Sequence, residues 1–291
     1  MKKRILVAIL SAMMVPSLAL AWTYTAEMDS YSSIGGGFSC AARTKGYGES
    51  VTDASSPSPS KSLRGFFYEN MEDGGEPYHC YRSIPSGTNA MYWEFYIKFG
   101  SNYQFHPTVS KFTYSYGDDL KGSNYRVPRF MTGANRFNGD ATRGRLLAFW
   151  GGAIANSPNY VYTNVGTDTP LVRGQWYKIT VWADFGTPGN YDGSFKMWLD
   201  GVLKLSYTGK RMMSSNDSRM SEFSLTPVWG GNNDINSPPG GMDFWVDKLT
   251  VSSEAISGST GSTGSTGSGT PTQDPATGTK SPNPPATITI N

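Results

Sequence analysis

The stretch from Gly174 to Gly209 constrains the fold more than any other part of the sequence. Apolar and polar residues alternate from Trp176 to Asp184, and this period of two predicts a half-buried β-strand. The pair Asp200-Gly201 lies between two further strand-like segments and predicts a two-residue hairpin turn. Successive strands joined in this way indicate an antiparallel sheet.

Similar segments recur along the chain, with turn-forming residues between them. We predict strands over 91–99, 110–116, 145–150, 159–164, 176–184, 194–199, 202–208, 222–229 and 242–252. Residues 22–90 predict shorter, irregular β segments with a turn at 35–37. The spacing of strands and turns predicts an all-β fold, a two-sheet antiparallel β-sandwich.

Two segments carry a resemblance to a known family. FKMWLDG (195–201) and MDFWVDKLTVSS (242–253) resemble a hairpin and the closing strand of the concanavalin A-like lectin/glucanase jelly roll. The resemblance covers about Thr23–Ser253 and implies a jelly-roll sandwich. Lectins, hydrolases, lyases and non-catalytic modules share this fold, so activity has to be argued from the site.

The two ends of the chain differ from the central region. Residues 1–21 combine a basic start, an apolar stretch and an Ala-Leu-Ala end, which is typical of a secretory signal peptide cleaved before Trp22. Residues 254–291 hold a Gly-Ser-Thr repeat and a Pro-rich stretch, which predict a disordered tail or linker. The expected domain is therefore 22–253, exported to the extracellular space or the periplasm, with the tail as a candidate surface tether.

Charge and cysteine content narrow the range of partners. Of the 25 Lys and Arg residues, three lie in the leader, which leaves 22 basic against 23 acidic residues. No basic cluster suits nucleic acid, and no later segment is apolar enough to span a bilayer.

Cys40 and Cys80 are the two cysteines, and in an exported protein they predict a disulfide. No cofactor is expected apart from a candidate structural calcium at 230–236, for which a plain turn is the alternative.

Aromatic and charged residues share one face of three predicted strands. They alternate with the apolar residues of 91–99, 176–184 and 194–199. Flat rings flanked by hydrogen-bonding groups suit sugar rings, so we expect this face to bind a polysaccharide. The alternative is a solvated outer sheet partly covered by the N-terminal segment. The expected substrate-binding residues are Glu94, Tyr96, Lys98, Lys178, Trp182, Lys196 and Trp198.

A second resemblance points to catalysis. Gln104-Phe105-His106 is similar to the Gln-Ile/Val-His motif of jelly-roll alginate lyases. In that family the glutamine helps to neutralise the uronate carboxylate and the histidine is the base, and the resemblance gives these roles to Gln104 and His106. The proton next to a carboxylate becomes removable only when that charge is screened, and a neutral imidazole can then accept it. The alternative is a surface histidine in a loop before Pro107.

The strand after this motif supplies further catalytic candidates. The order of a histidine loop followed by a Lys-aromatic strand is similar to polysaccharide lyases of the heparin lyase I or glucuronan lyase type. It assigns Lys111 and Tyr114 to the site, with Tyr116 or Tyr96 as alternatives for the acid that protonates the leaving oxygen.

Arginines concentrate between residues 120 and 150. A guanidinium binds a carboxylate through two parallel hydrogen bonds, so such a set can clamp uronates, although ordinary surface loops also have this composition. We assign Arg129 to substrate binding. The others are Arg126, Arg136, Arg143 and Arg145.

The sequence therefore predicts a secreted polysaccharide-recognising domain, in its sharpest form a lyase that cleaves a uronate-containing glycan by β-elimination. The alternative is a non-catalytic glycan-binding module or a structural component of a surface or matrix. A glycosidase with paired carboxylates is disfavoured, because Glu94 stands alone in its strand and the other acidic sets lie in loops.

Overall fold

The computed structural model describes residues 20–58, 61–71, 74–107, 110–117, 129–133, 141–149, 163–165, 170–210, 212, 220–230 and 240–256. The chain divides into two compact units, residues 1–261 and 262–291. The second unit, and the predicted signal peptide up to residue 19, lie outside the described residues. The predicted domain limits therefore stay predictions.

The described residues form sixteen β-strands. In chain order they are β1 (Thr23–Ala26), β2 (Ser39–Ala42), β3 (Gly46–Val51), β4 (Ser62–Phe67), β5 (Tyr78–Thr88), β6 (Ala90–Phe99), β7 (Ser110–Gly117), β8 (Arg129–Gly133), β9 (Arg143–Phe149), β10 (Thr163–Val165), β11 (Leu171–Val172), β12 (Trp176–Asp184), β13 (Gly193–Leu199), β14 (Val202–Lys210), β15 (Met220–Trp229) and β16 (Met242–Ser252).

These strands build two antiparallel sheets. The first sheet has the order β14-β13-β12-β6-β16-β4-β3, and β1 also pairs with β16. The second sheet has the order β10-β9-β8-β7-β15-β5-β2, and β11 also pairs with β9. The two sheets pack face to face, so the all-β sandwich expected from the sequence is confirmed.

Aromatic side chains from both sheets fill the space between them. Trp93 of the first sheet lies 5.7 Å from Phe223 of the second, measured between ring centroids. Tyr78 of the second sheet lies 6.0 Å from Phe244 of the first. Burial of such large rings supplies the main driving force for holding the two sheets together. The face of each sheet turned away from this core is called its outer face below.

The alternating segment predicted over 176–184 forms a strand of the first sheet with one buried and one half-exposed face. In β12, Tyr177, Ile179, Val181 and Ala183 are buried, whereas the residues between them, apart from Thr180, are half-exposed. The turn between β13 and β14 has φ of 51° at Asp200 and 80° at Gly201. Positive φ at both central residues is the type I′ geometry that an Asp-Gly pair favours, so the predicted hairpin is confirmed.

Residues 22–90 are more regular than the sequence indicates. They contain five strands, and β5 runs for 11 residues. The sequence pattern does not predict the full length of β5, because Pro85 and Gly87 lie near its end and these residue types are rare in strand interiors. The predicted turn at 35–37 is present, with positive φ at all three glycines.

A disulfide joins β2 to β5. Cys40 and Cys80 are directly opposite each other in the antiparallel pair, and their sulfurs are bonded. The predicted pairing is therefore confirmed. In the described part of the chain, no helix is present that could cross a membrane.

Candidate functional site

The outer face of the first sheet carries the residues expected to bind substrate. The ammonium of Lys98 contacts the carboxylate of Asp53 and lies 4.7 Å from the ring centroid of Trp245. Asp53 belongs to the segment that follows β3. Burial alone would raise the pKa of Asp53, but hydrogen bonds from Lys98 and Ser55 hold that pKa below its usual value. Lys98 is therefore committed to an internal ion pair.

Other charged groups on this face are also paired within the chain. Lys178 lies 3.6 Å from Glu94, which accepts a hydrogen bond of 2.6 Å from Thr180. Lys196 lies 5.3 Å from the ring centroid of Trp182. These contacts satisfy the cations that the substrate was expected to meet.

The segment after β3 also covers part of the same face. The backbone N–H of Ser58 donates a hydrogen bond of 2.9 Å to the buried carboxylate of Asp247, and Ser56 contacts the same oxygen. Trp198 is only 6% exposed, whereas Trp182 and Tyr96 are half-exposed. The geometry matches the alternative interpretation, an outer sheet partly covered by the N-terminal segment.

Gln104 and His106 lie in the loop between β6 and β7, and the His106 ring is buried there. The His106 side chain is 0% exposed, and its ring centroid lies 4.4 Å from that of Trp229 in an edge-to-face contact. The Trp229 indole N–H donates a hydrogen bond of 3.1 Å to the backbone oxygen of Gln104. A polysaccharide cannot contact the His106 ring in this position, so the structure does not place it in the expected groove.

Strand β7 brings Lys111 and Tyr114 to the outer face of the second sheet. Tyr114 is opposite Ser224 of β15, and the neighbours of Ser224, Phe223 and Leu225, are core residues. Tyr114 therefore points away from the core, and its ring stacks on Tyr116 at 6.0 Å.

Lys111 reaches the same outer face because of a bulge. The strand pairs Thr113 with Leu225 and Lys111 with Val228, so two residues of β15 oppose Phe112. Phe112 packs in the core and its neighbour Lys111 points outward, donating a hydrogen bond of 2.6 Å to the backbone oxygen of Gly230. Lys111 and Tyr114 are both largely buried at this surface.

Histidine 79 also lies on the outer face of the second sheet. Its Nδ1 is 2.8 Å from the hydroxyl oxygen of Thr226, and Thr226 donates a hydrogen bond of 3.3 Å to Ser224. With Thr226 assigned as the donor to Ser224, the consistent assignment makes Nδ1–H the donor to Thr226. This tautomer leaves the lone pair of the imidazole on Nε2.

Burial and a nearby cation keep this imidazole neutral. Burial, and secondarily the charge of Arg43, lower the pKa of His79 from 6.5 to about 4. The ring of Tyr81 lies 5.4 Å from the His79 ring and is 40% exposed. A neutral imidazole therefore stands beside an accessible phenol.

The arginine cluster is only partly described. Arg145 precedes the core residue Leu146, so it projects from the outer face of the second sheet. Arg143, two residues away in the same strand, shares that face and is exposed. Arg129 begins β8 of the same sheet, but its side chain lies outside the described residues, as do Arg126 and Arg136.

The candidate calcium segment lies outside the described residues apart from Gly230. Among the residues that are described, no group of three or more His, Cys, Asp and Glu side chains is placed to hold a metal ion.

Lys111 and Tyr114, which the sequence analysis assigned to the site, lie on this outer face together with His79 and Tyr81, which it did not assign. The available signal was the spacing of His79 and Tyr81, since residues two apart in a strand share a face.

Solved structures with a similar fold include polysaccharide lyases. The alginate lyase Aly36B is 16% identical, with a TM-score of 0.57 over 80% of this chain and 97% of that chain. The marine PL-14 alginate lyase from Aplysia kurodai is 15% identical, with a TM-score of 0.57 over 80% and 99%. The endo-beta-1,4-glucuronan lyase from the fungus Trichoderma reesei is 13% identical, with a TM-score of 0.52 over 79% and 94%.

Sequence comparisons do not identify a family for this chain. No protein-family model matches the chain, and no curated protein matches it. Identities of this size show a shared fold and leave the activity open. The chain thus has the jelly-roll fold that these alginate and glucuronan lyases have.

Proposed function

We propose that this protein is an exported lyase that cleaves a uronate-containing polysaccharide by β-elimination on the outer face of its second sheet. The observation that carries the proposal is the neutral His79 beside the exposed phenol of Tyr81, with cationic groups on the same face. The shared fold with alginate and glucuronan lyases supports the choice of substrate class.

The layout of the face suits an extended chain. Lys111 and Tyr114 lie on β7, and His79 and Tyr81 lie on β5, with β15 between them. Neighbouring strands are about 4.8 Å apart, so these groups span about 10 Å across the sheet. A polysaccharide crossing the strands would meet the exposed ring of Tyr81 beside His79, whereas Lys111 and Tyr114 lie deeper in the surface.

The reaction needs one base and one acid. Nε2 of His79 takes the proton from C5 of the uronate, and the electron pair of that bond forms the C4–C5 double bond. The C4–O bond then breaks, and the Tyr81 hydroxyl donates its proton to the departing oxygen. No oxidant, reductant or water is consumed. His79 is neutral at pH 7, so its lone pair is available without prior loss of a proton.

The test is to incubate the exported domain with alginate, glucuronan and neutral polysaccharides and to follow the ultraviolet absorbance of unsaturated chain ends. His79→Gln should reduce the rate about 10²–10⁴-fold, the usual worth of a general base. The control is His106→Gln, which alters the buried histidine. This variant should lose stability but cleave at the normal rate once folded.

A second pair of variants tests the acid. Tyr81→Phe removes a hydroxyl that is proposed to react, and Tyr68→Phe removes one from a residue of similar exposure, 44% against 40%. Cleavage should fall only in Tyr81→Phe. If the wild-type domain binds uronate polymers and releases no unsaturated ends, the protein is a glycan-binding module. The burial of Lys111 and Tyr114, which restricts access to them, favours that second function.

A further inference from the structure

A cavity of about 380 Å³ opens at the β2 edge of the second sheet. It is lined by residues 42–45 and 74–76. Arg43 and Lys45 contribute two cations to its wall, and Glu76 contributes one carboxylate. Of these three charged residues, two are basic and one is acidic.

The Arg43 side chain forms an ion pair with Glu76. Its Nε lies 3.2 Å from Oε1 of Glu76, and the side chain is 44% exposed. Within the described part of the chain, neither terminal nitrogen of Arg43 has a partner. A guanidinium that is ion-paired at Nε still presents its terminal N–H groups in the planar arrangement that matches a carboxylate.

Strand pairing puts Arg43 next to the proposed base. Ala41 is opposite His79, and the backbone N–H of Arg43 donates a hydrogen bond to the oxygen of Pro77. Arg43 therefore continues this strand pairing two residues beyond Ala41, and its side chain points to the same side of the sheet as that of Ala41. Two residues of extended strand span about 7 Å, which is within reach of an arginine side chain.

We propose that Arg43 binds the carboxylate of a uronate unit of the substrate at this edge, and so extends the proposed site beyond β5 onto β2. This proposal rests on the proposed function for its ligand class, but it concerns binding and can be tested without cleavage. Gly74 and Gly75 carry no side chain at the cavity wall, which leaves the backbone open to close approach by a ligand.

The experiment measures binding of alginate and glucuronan oligosaccharides of defined length to the whole protein by calorimetry. Arg43→Gln should weaken binding about 10-fold or more, because a charge-assisted bidentate contact is lost. Arg43→Lys keeps the charge and the ion pair with Glu76, and should recover part of the affinity. Lys204→Gln, on the edge strand of the other sheet, is the matched loss of one cation and should bind normally.

The ligand chemistry is tested by changing the sugar. Carboxyl-reduced oligosaccharides should bind wild type and Arg43→Gln equally, since the group that Arg43 contacts is gone. Sulfated neutral oligosaccharides provide the contrasting ligand. If Arg43→Gln weakened the binding of these oligosaccharides and of no uronate oligosaccharide, the anion would be a sulfate ester, and the uronate assignment would be overturned.

Two other outcomes separate this proposal from the proposed function. Equal binding of uronate oligosaccharides by wild type and Arg43→Gln, with unchanged thermal unfolding, overturns the subsite and leaves the lyase proposal standing. Tight binding that depends on Arg43 without any release of unsaturated ends supports the subsite and overturns the lyase.

Discussion

Reduction of the Cys40–Cys80 disulfide should destabilise the domain by about 4 kcal/mol. The bond closes a loop of 40 residues, and the chain-entropy relation gives about this value for such a loop. Edge strand β2 has four residues and pairs only with β5 in the described part of the chain. The covalent link therefore contributes much of what holds β2 in the sheet.

The assay is urea unfolding followed by tryptophan fluorescence, with and without a reductant that stays active throughout. For a domain of this size the loss corresponds to a fall in Tm of about 8 to 16 °C. The control is Cys40→Ala/Cys80→Ala, whose unfolding should not respond to the reductant. A change below about 1 kcal/mol would refute the reasoning, because β2 would then be held by its other contacts or the reduced unfolded chain would remain compact.

Three further outcomes are expected. When the pH falls from 6.5 to 4, the unfolding free energy of wild type should decrease more than that of His79→Gln. The reason is that the imidazole gains a proton in the unfolded chain over this range, whereas in the folded protein its pKa is about 4. Parallel curves of unfolding free energy against pH for the two proteins would contradict this prediction. Trp182→Ala should leave polysaccharide binding unchanged and cost less stability than Val181→Ala, which empties a fully buried site at a cost of about 2 to 3 kcal/mol; weakened binding would return the substrate to the first sheet. Deleting residues 257–291 should leave the melting temperature unchanged in calorimetry, and an unfolded product would place the domain boundary further along the chain.

Most of the fold could be predicted because sheet formation leaves a local signature. The alternation in Trp176–Asp184 and the Asp200-Gly201 pair each depend on a few neighbouring residues, and both have the expected geometry. Strand β5 was harder to recognise, since Pro85 and Gly87 interrupt its pattern and residues 85–87 are exposed. Which strands become neighbours is not a local property, and the sequence pattern carries no information on it.

The site depended on that missing information. The Gln-Phe-His resemblance assigned the base to His106, yet packing buries His106 against Trp229 and leaves His79 on the outer face. A histidine in a short motif has the same sequence pattern whether its ring faces solvent or an indole. The pairing of β5 with β15 determines the environment of the His79 ring, because it brings Thr226 within hydrogen-bonding distance of the imidazole.

The two outer faces have similar composition, and the state of their charged groups separates them. On the first sheet Lys98 and Lys178 have carboxylates within the chain, so a polysaccharide would have to replace contacts that already exist. At the β2 edge of the second sheet the terminal nitrogens of Arg43 have no such partner among the described residues. A lysine ammonium that already contacts a carboxylate contributes little to ligand affinity, whereas a guanidinium that is ion-paired at Nε still has terminal N–H groups for an anion. Recognition of an acidic polysaccharide is therefore expected where a cation keeps open donors, and among the described residues Arg43 meets that condition at the β2 edge of the second sheet.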